Sequence, residues 1–295
     1  MRILLLGGNG QLGSELRRSL APLGELVAGT RDGRLASGEG CEVADFDRPD
    51  ELEALVARVA PNVVVNAAAY TRVDQAESER DAAFRANAES PAALARACRR
   101  LDARLVHYST DYVFDGRGTR PYREDDPVAP LGVYGESKLA GERAVRDSGA
   151  RHLVFRTAWV YAAHGRNFLR TMLRLAGERE ELRVVADQHG TPTPAGLIAD
   201  VTARILSATP DRSGLWHLTP TGDTTWHGFA EAIVGRARAI GLLARRPRVT
   251  AIGTADFPTP AARPAYSVLD CSALQRDFGI SLPHWREALD GVLQG

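Results

Sequence analysis

Residues 2–13 read Arg-Ile-Leu-Leu-Leu-Gly-Gly-Asn-Gly-Gln-Leu-Gly, and the fold is decided there. Residues 2–6 form a short apolar run without polar alternation, the pattern of a strand covered on both faces. Gly7, Gly10 and Gly13 space out a turn, after which residues 14–20 carry apolar side chains at helical intervals. Glycines at this spacing allow a tight turn, close approach of a pyrophosphate to backbone N–H groups, and close packing of helix on strand. The positive end of the helix then faces the anion. Such glycines alone say little; their place after a strand and before a helix is the context the mechanism requires.

The alternation continues outward. Strands are expected at 25–29, 62–69, 105–109 and 152–157, and helices at 46–59, 81–100 and 134–148, from apolar runs and helical spacing respectively. Strands separated by helices require right-handed crossovers and hence a parallel sheet covered on both faces. The expected class is α/β, a doubly wound Rossmann-type parallel sheet. Beyond about residue 160 the rhythm is broken by prolines, Pro192, Pro210, Pro247 and Pro264 among them. Residues 1–160 are read as the dinucleotide-binding domain. Residues 161–295 are read as a smaller, mainly substrate-binding region, some of whose segments return to pack on the first.

Composition narrows the function classes. The 295 residues carry 37 basic and 37 acidic side chains, for zero net charge, and are 44% hydrophobic, a soluble globular balance. A neutral chain supplies no field for nucleic acid or acidic membrane, so neither is expected as a partner and any anion must be held by local groups. Cys41, Cys98 and Cys271 are odd in number and lie far apart, which argues against a disulfide framework or a zinc site. No apolar run approaches the roughly 18 residues of a membrane span, and a cytoplasmic protein is expected. The seven histidines show no metal-binding spacing.

Of the 37 basic residues, 36 are arginine and one, Lys138, is lysine. It closes the segment Tyr134-Gly-Glu-Ser-Lys138. Four residues along a helix bring two side chains to one face about 6 Å apart. An ordinary phenol is a poor acid–base catalyst at neutral pH, and a neighbouring cation stabilises the phenolate and lowers its pKa. Arginine, with its broad planar head, would replace that compact ammonium badly. Thr110 ends the preceding strand, where ligand crevices of open α/β sheets lie, and can hydrogen-bond an oxygen that becomes an alkoxide. Past the second strand, Arg31 suits a ribose 2′-phosphate and so favours NADPH. Asp45 and Phe46 could hold an adenine between an acceptor and an apolar face.

These residues resemble the extended short-chain dehydrogenase/reductase superfamily and, more narrowly, the dTDP-4-dehydrorhamnose reductases. Glycines with Tyr-x-x-x-Lys name only the superfamily. His107-Tyr-Ser-Thr-Asp-Tyr-Val-Phe-Asp115, Phe155-Arg-Thr-Ala-Trp-Val-Tyr161, Asp187-Gln-His-Gly-Thr-Pro-Thr193 and Pro258-Thr-Pro-Ala-Ala-Arg-Pro264 are far more specific, and the similar stretches span nearly the whole chain in order. The resemblance implies a catalytic triad of Thr110, Tyr134 and Lys138, with Tyr134 as proton donor. It places Gly10, Gln11 and Leu12 on the cofactor diphosphate, Asp45 and Phe46 on the adenosine, and Ala67, Ala68 and Ala69 along the cofactor. Asp111 and Trp159 would face the sugar nucleotide. It further implies reduction of the C4 ketone of a dTDP-linked 4-keto sugar by NADPH, with NADH as a second cofactor, a homodimer, and Mg²⁺ in some members. No residue independently marks a metal site; Glu15 is the one ligand to consider.

A neutral chain needs a local cation for the substrate diphosphate, and Arg263 is the first candidate. Two other readings stay open. An epimerase or dehydratase acting on a nucleotide sugar would share the glycine turn, Tyr134 and Lys138. A dehydratase would need further carboxylates after the threonine, where this chain has Asp111-Tyr112. A non-catalytic regulatory subunit on the same fold would not need Tyr134 and Lys138, and both are present.

Overall fold

The computed structural model describes residues 1–208 and 211–294; Pro210, one of the expected break points, lies outside them. Seven strands form one sheet in the order Gly214–His217, Arg151–Thr157, Arg104–Thr110, Val63–Asn66, Arg2–Leu6, Glu25–Thr30, Glu42–Val43. Every neighbouring pair is parallel. From Arg2–Leu6 the chain first builds outward through Glu25–Thr30 and then returns to build the other way from Val63–Asn66. The switch point between these two central strands opens a crevice beyond their carboxyl ends.

The first strand shows why both faces are covered. Ile3 and Leu5 pack with Leu16, Leu20, Ile198 and Ile205 on one side, while Leu4 and Leu6 pack with Leu52, Val56 and Leu94 on the other. Alternate side chains thus enter opposite apolar layers, and none of these residues is more than 1% exposed. A third core gathers Tyr161, Leu169, Phe229, Ile233 and Trp285 in the part of the chain that follows the sixth sheet strand. Small ladders organise that part: Val160–Tyr161 with Thr193–Pro194, Glu181–Val185 with Arg248–Ile252, and His189–Gly190 with Thr224–Thr225. Among the described residues no helix is long and apolar enough to cross a membrane.

Several boundaries differ from the sequence reading. The first helix runs Gln11–Leu20, so Gly13 lies in its opening turn. A Cβ there would stand 2.0 Å from the Gly7 carbonyl oxygen, and the helix can start this early only because glycine occupies the site. The second helix begins at Pro49, not at residue 46, with proline in its first turn. The strand expected at 62–69 stops at Asn66. The helix expected at 81–100 is interrupted by a π-helical turn, Arg85–Glu89, between Arg80–Phe84 and Ser90–Arg100. Within that turn the Asn87 amide bonds both the N–H and the carbonyl of Tyr70, and Ser137, while the facing Gly141 leaves no room for a Cβ against the Asn87 carbonyl.

Gly214–His217 joins the main sheet beside Arg151–Thr157, and Ala195–Ala208 packs on Gln11–Leu20, where the Ser19 hydroxyl donates to Asp200 at 2.6 Å. The helix Val133–Asp147 is fastened to the sheet by a buried ion pair. Arg156 makes two hydrogen bonds to Glu142, from Nε at 2.9 Å and Nη2 at 2.6 Å. Both side chains are almost fully buried, so removing either takes the main countercharge from the other, with only Arg146 at 3.6 Å left as an ion-pair partner of Glu142 among the described residues.

Candidate active site

The glycine turn is held at two points. Gly7 adopts φ +83°, a left-handed conformation suited to glycine, and the N–H groups of Gly7 and Gly8 both donate to the Gly29 carbonyl, at 3.0 and 3.2 Å. A Cβ on Gly7 would lie 2.7 Å from the Ala68 nitrogen, so the turn and the 67–69 segment touch. No side-chain hydrogen bond caps the helix at Gly10, which leaves its first N–H groups to a ligand. Gln11 and Leu12 are half-buried. The Gln11 amide oxygen accepts from Asn167 Nδ2 at 2.6 Å, and Leu12 packs on the core.

Arg31 and Asp45 do meet. The Arg31 guanidinium is 71% exposed and lies 3.7 Å from both Asp45 and Asp47, loose contacts from which it can turn to an anion. Phe46 behaves otherwise: it is 5% exposed and belongs to the core with Leu4, Leu6 and Val64, and its carbonyl accepts from Ser90. Its ring therefore faces the protein rather than open crevice. Ala67, Ala68 and Ala69 follow the end of Val63–Asn66; Ala67 and Ala68 are half-buried and Ala69 is exposed. Ala68 N–H donates to Asn66 Oδ1, while Asn66 Nδ2 meets His107 Nδ1 at 3.2 Å. An uncapped helix end, a glycine turn abutting the 67–69 segment, and an exposed, loosely paired guanidinium fit a dinucleotide with a ribose phosphate.

Thr110, Tyr134 and Lys138 all lie against the carboxyl end of Arg104–Thr110. The helix Val133–Asp147 carries Tyr134 and Lys138 one turn apart. The Lys138 ammonium donates to the Tyr108 carbonyl at 2.6 Å. Burial pulls its pKa down to about 8, opposed by the nearby Glu142 carboxylate. Burial pushes the Tyr134 phenol up to about 12, with the Thr110 hydroxyl pulling the other way by hydrogen bonding. The sequence reading expected the ammonium to lower the phenol's pKa; the structure corrects this, because Lys138 is turned onto a backbone carbonyl and desolvation dominates at Tyr134. Thr110 Oγ1 donates to Asp111 Oδ1 at 2.9 Å, and the Asp111 carboxyl is buried. Burial raises this carboxyl to about 6, against the hydroxyls of Ser267 and Thr110.

The remaining candidates are Trp159, Arg263 and Glu15. Trp159 follows the end of Arg151–Thr157 with φ +46° and stacks on Trp226, ring centroids 3.6 Å apart. Arg263 lies 6.0 Å from the Tyr112 ring, which meets Tyr134 edge-on at 5.8 Å. Its Nη2 pairs with Asp74 at 2.9 Å, whereas Nη1 is buried without a hydrogen-bond partner. Glu15 is engaged by His164 at 2.8 Å and Arg18 at 3.4 Å, and among the described residues no three His, Cys, Asp or Glu gather as a metal site. Tyr108, Tyr112 and Trp226 were not singled out from the sequence. The first two flank Thr110 in the very stretch that carried the resemblance, a signal that could have found them.

The family described as RmlD substrate binding domain matches residues 1–295. A dTDP-4-dehydrorhamnose reductase of Burkholderia thailandensis is 51% identical, covering 98% of this chain and 97% of that one; its Escherichia coli K12 counterpart is 47% identical over 99% and 97%. Among solved structures, a dTDP-4-dehydrorhamnose reductase of Clostridium acetobutylicum superposes with TM-score 0.90 at 36% identity, over 100% of this chain and 99% of that one. The Bacillus anthracis enzyme, crystallised with NADP, gives TM-score 0.90 at 33% identity over 99% and 98%. On full-length matches of sequence and fold, the chain belongs to the RmlD substrate binding domain family.

Proposed function

We propose that this chain reduces the C4 ketone of dTDP-4-dehydro-L-rhamnose to dTDP-L-rhamnose with NADPH. The observation that carries the reading is the convergence of Tyr134, Thr110 and Lys138 at one strand end, beside the uncapped glycine-turn helix, in a chain so similar to enzymes of that name. The Gly10–Gly13 turn would hold the diphosphate, Arg31 the ribose phosphate, and Ala67 to Ala69 the middle of the cofactor. When bound, NADPH supplies the hydride that reduces the carbonyl carbon.

The chain's own residues supply the proton and the charge control. A phenol near 12 keeps its proton at neutral pH, so Tyr134 is present as the acid and donates that proton to the ketone oxygen. Thr110 turns its hydroxyl from Asp111 to the same oxygen and stabilises the charge that builds there. Lys138, with its compact ammonium, binds the cofactor ribose. Asp111 and Trp159 border the sugar. Arg263, with Nη1 unpartnered, takes the substrate diphosphate, and residues 161–295 supply most of the substrate side. Incubating the protein with NADPH and a panel of nucleotide-linked 4-keto sugars, with the configuration at C4 of the product read by NMR, tests the reading. Selective formation of dTDP-L-rhamnose supports it. Turnover only as epimerisation or dehydration refutes it.

A further inference from the structure

We propose that Trp226 and Gly190 form a rigid seat that fixes the Trp159 indole for the sugar nucleotide; the inference rests on the assignment of Trp159 to the substrate side. Trp159 has φ +46°, a left-handed conformation that bulky residues rarely adopt and that surrounding structure must hold in place. Three contacts do so. The Thr193 N–H donates to the Trp159 carbonyl at 3.2 Å. One face of the indole lies flat on Trp226, with centroids 3.6 Å apart and planes 8° from parallel. Its edge runs along Gly190, where a Cβ would stand 2.5 Å from Cε2 and 2.8 Å from Nε1.

Gly190 is not among the glycines with positive φ, so its backbone would accept alanine. What glycine provides there is the volume that the indole fills. The two parts of the seat are also coupled. Gly190 pairs with Thr224 in a short antiparallel ladder, and Thr225, next along, caps the helix that opens with Trp226 by accepting from the Gly228 N–H at 3.0 Å. Phe168 packs on Trp226 at 4.7 Å. Trp159 is half-buried, an aromatic group already oriented before a ligand arrives. Fixing a ligand-binding group in advance removes the ordering cost of binding, so the seat acts on substrate affinity rather than on the chemical step.

The test compares Trp226→Ala, Trp226→Phe and Gly190→Ala with the wild type, measuring steady-state constants for dTDP-4-dehydro-L-rhamnose and the Kd of dTDP-L-rhamnose by calorimetry. Trp226→Ala and Gly190→Ala should each raise the sugar-nucleotide KM and Kd about tenfold, the scale of a lost aromatic stack. The KM for NADPH should not move, kcat should stay within about threefold of wild type, as expected when only uniform binding is lost, and Trp226→Phe should recover most of the affinity. Near-UV circular dichroism follows the stacked pair independently of activity. An unchanged KM in Trp226→Ala with the dichroic signal lost would overturn the proposal. So would a lowered KM, which would mean that substrate competes with Trp226 for the indole. Should Trp226→Ala fail to fold, Gly190→Ala, which leaves the aromatic packing partners in place, decides. A wild type that neither turns over nor binds the sugar nucleotide overturns the functional reading, and the seat's ligand with it.

Discussion

The Lys138 ammonium is bonded to the Tyr108 carbonyl at 2.6 Å, two residues before Thr110 on the same strand. One strand end thus holds the cation and presents the hydroxyl that meets Tyr134. With burial bringing Lys138 to about 8, the cationic form is lost within reach of ordinary assays. The free enzyme's kcat/KM should fall on the alkaline side with an apparent pKa near 8, and Lys138→Arg should abolish that limb at lower overall activity. Stability runs the opposite way. The unfolded lysine, near 10.5, binds more protons than the folded one between about pH 8 and 10.5, so this residue's contribution to stability rises across that window. Activity loss without loss of fold, followed by circular dichroism along the same titration, separates the two effects.

Arg31 predicts cofactor preference. Its contacts to Asp45 and Asp47 are both 3.7 Å long, and a surface pair of that kind contributes little. Arg31→Ala should raise the KM for NADPH roughly 10- to 100-fold, the scale of a charge-assisted phosphate contact, and leave the KM for NADH within about twofold. Equal effects on both cofactors would remove Arg31 from the 2′-phosphate.

Asp111 predicts an opposition between stability and activity. Its folded pKa near 6 stands above the ordinary 3.8 because the carboxyl is buried. The folded state binds more protons between those values, so stability falls as pH rises through that window and the penalty is complete above about 6. Asp111→Asn should raise Tm by roughly 2–4 °C near pH 7.5 and give no gain near pH 3.5, while activity at neutral pH drops. Differential scanning at the two pH values checks it; a gain of equal size at both would contradict the account.

Much of this architecture was legible in the sequence because its inner strands are buried on both faces. Runs such as Ile3 to Leu6 and Val63 to Val65 advertise themselves without needing partners. Gly214–His217 was not, since four residues among proline breaks become a sheet strand only through a tertiary neighbour, Arg151–Thr157. The lone lysine and its tyrosine pointed to one helix face, which the fold retains. What spacing could not convey is direction: Lys138 turns to a backbone carbonyl, and Phe46 turns its ring into the core. Both choices are set by residues distant in sequence. The seat under Trp159 was hidden for the same reason, Gly190 and Trp226 being joined by a ladder of two residues a side.

The most direct test is Tyr134→Phe, assayed for NADPH consumption with dTDP-4-dehydro-L-rhamnose alongside equilibrium binding of NADPH. The ring and its edge contact with Tyr112 survive this change, and only the phenolic hydroxyl with its transferable proton is removed. Turnover should fall about 10²- to 10⁴-fold, the range for loss of a positioned acid, with NADPH affinity within about threefold of wild type. Reduction of the ketone at near wild-type rate would contradict the assignment of Tyr134 as the acid.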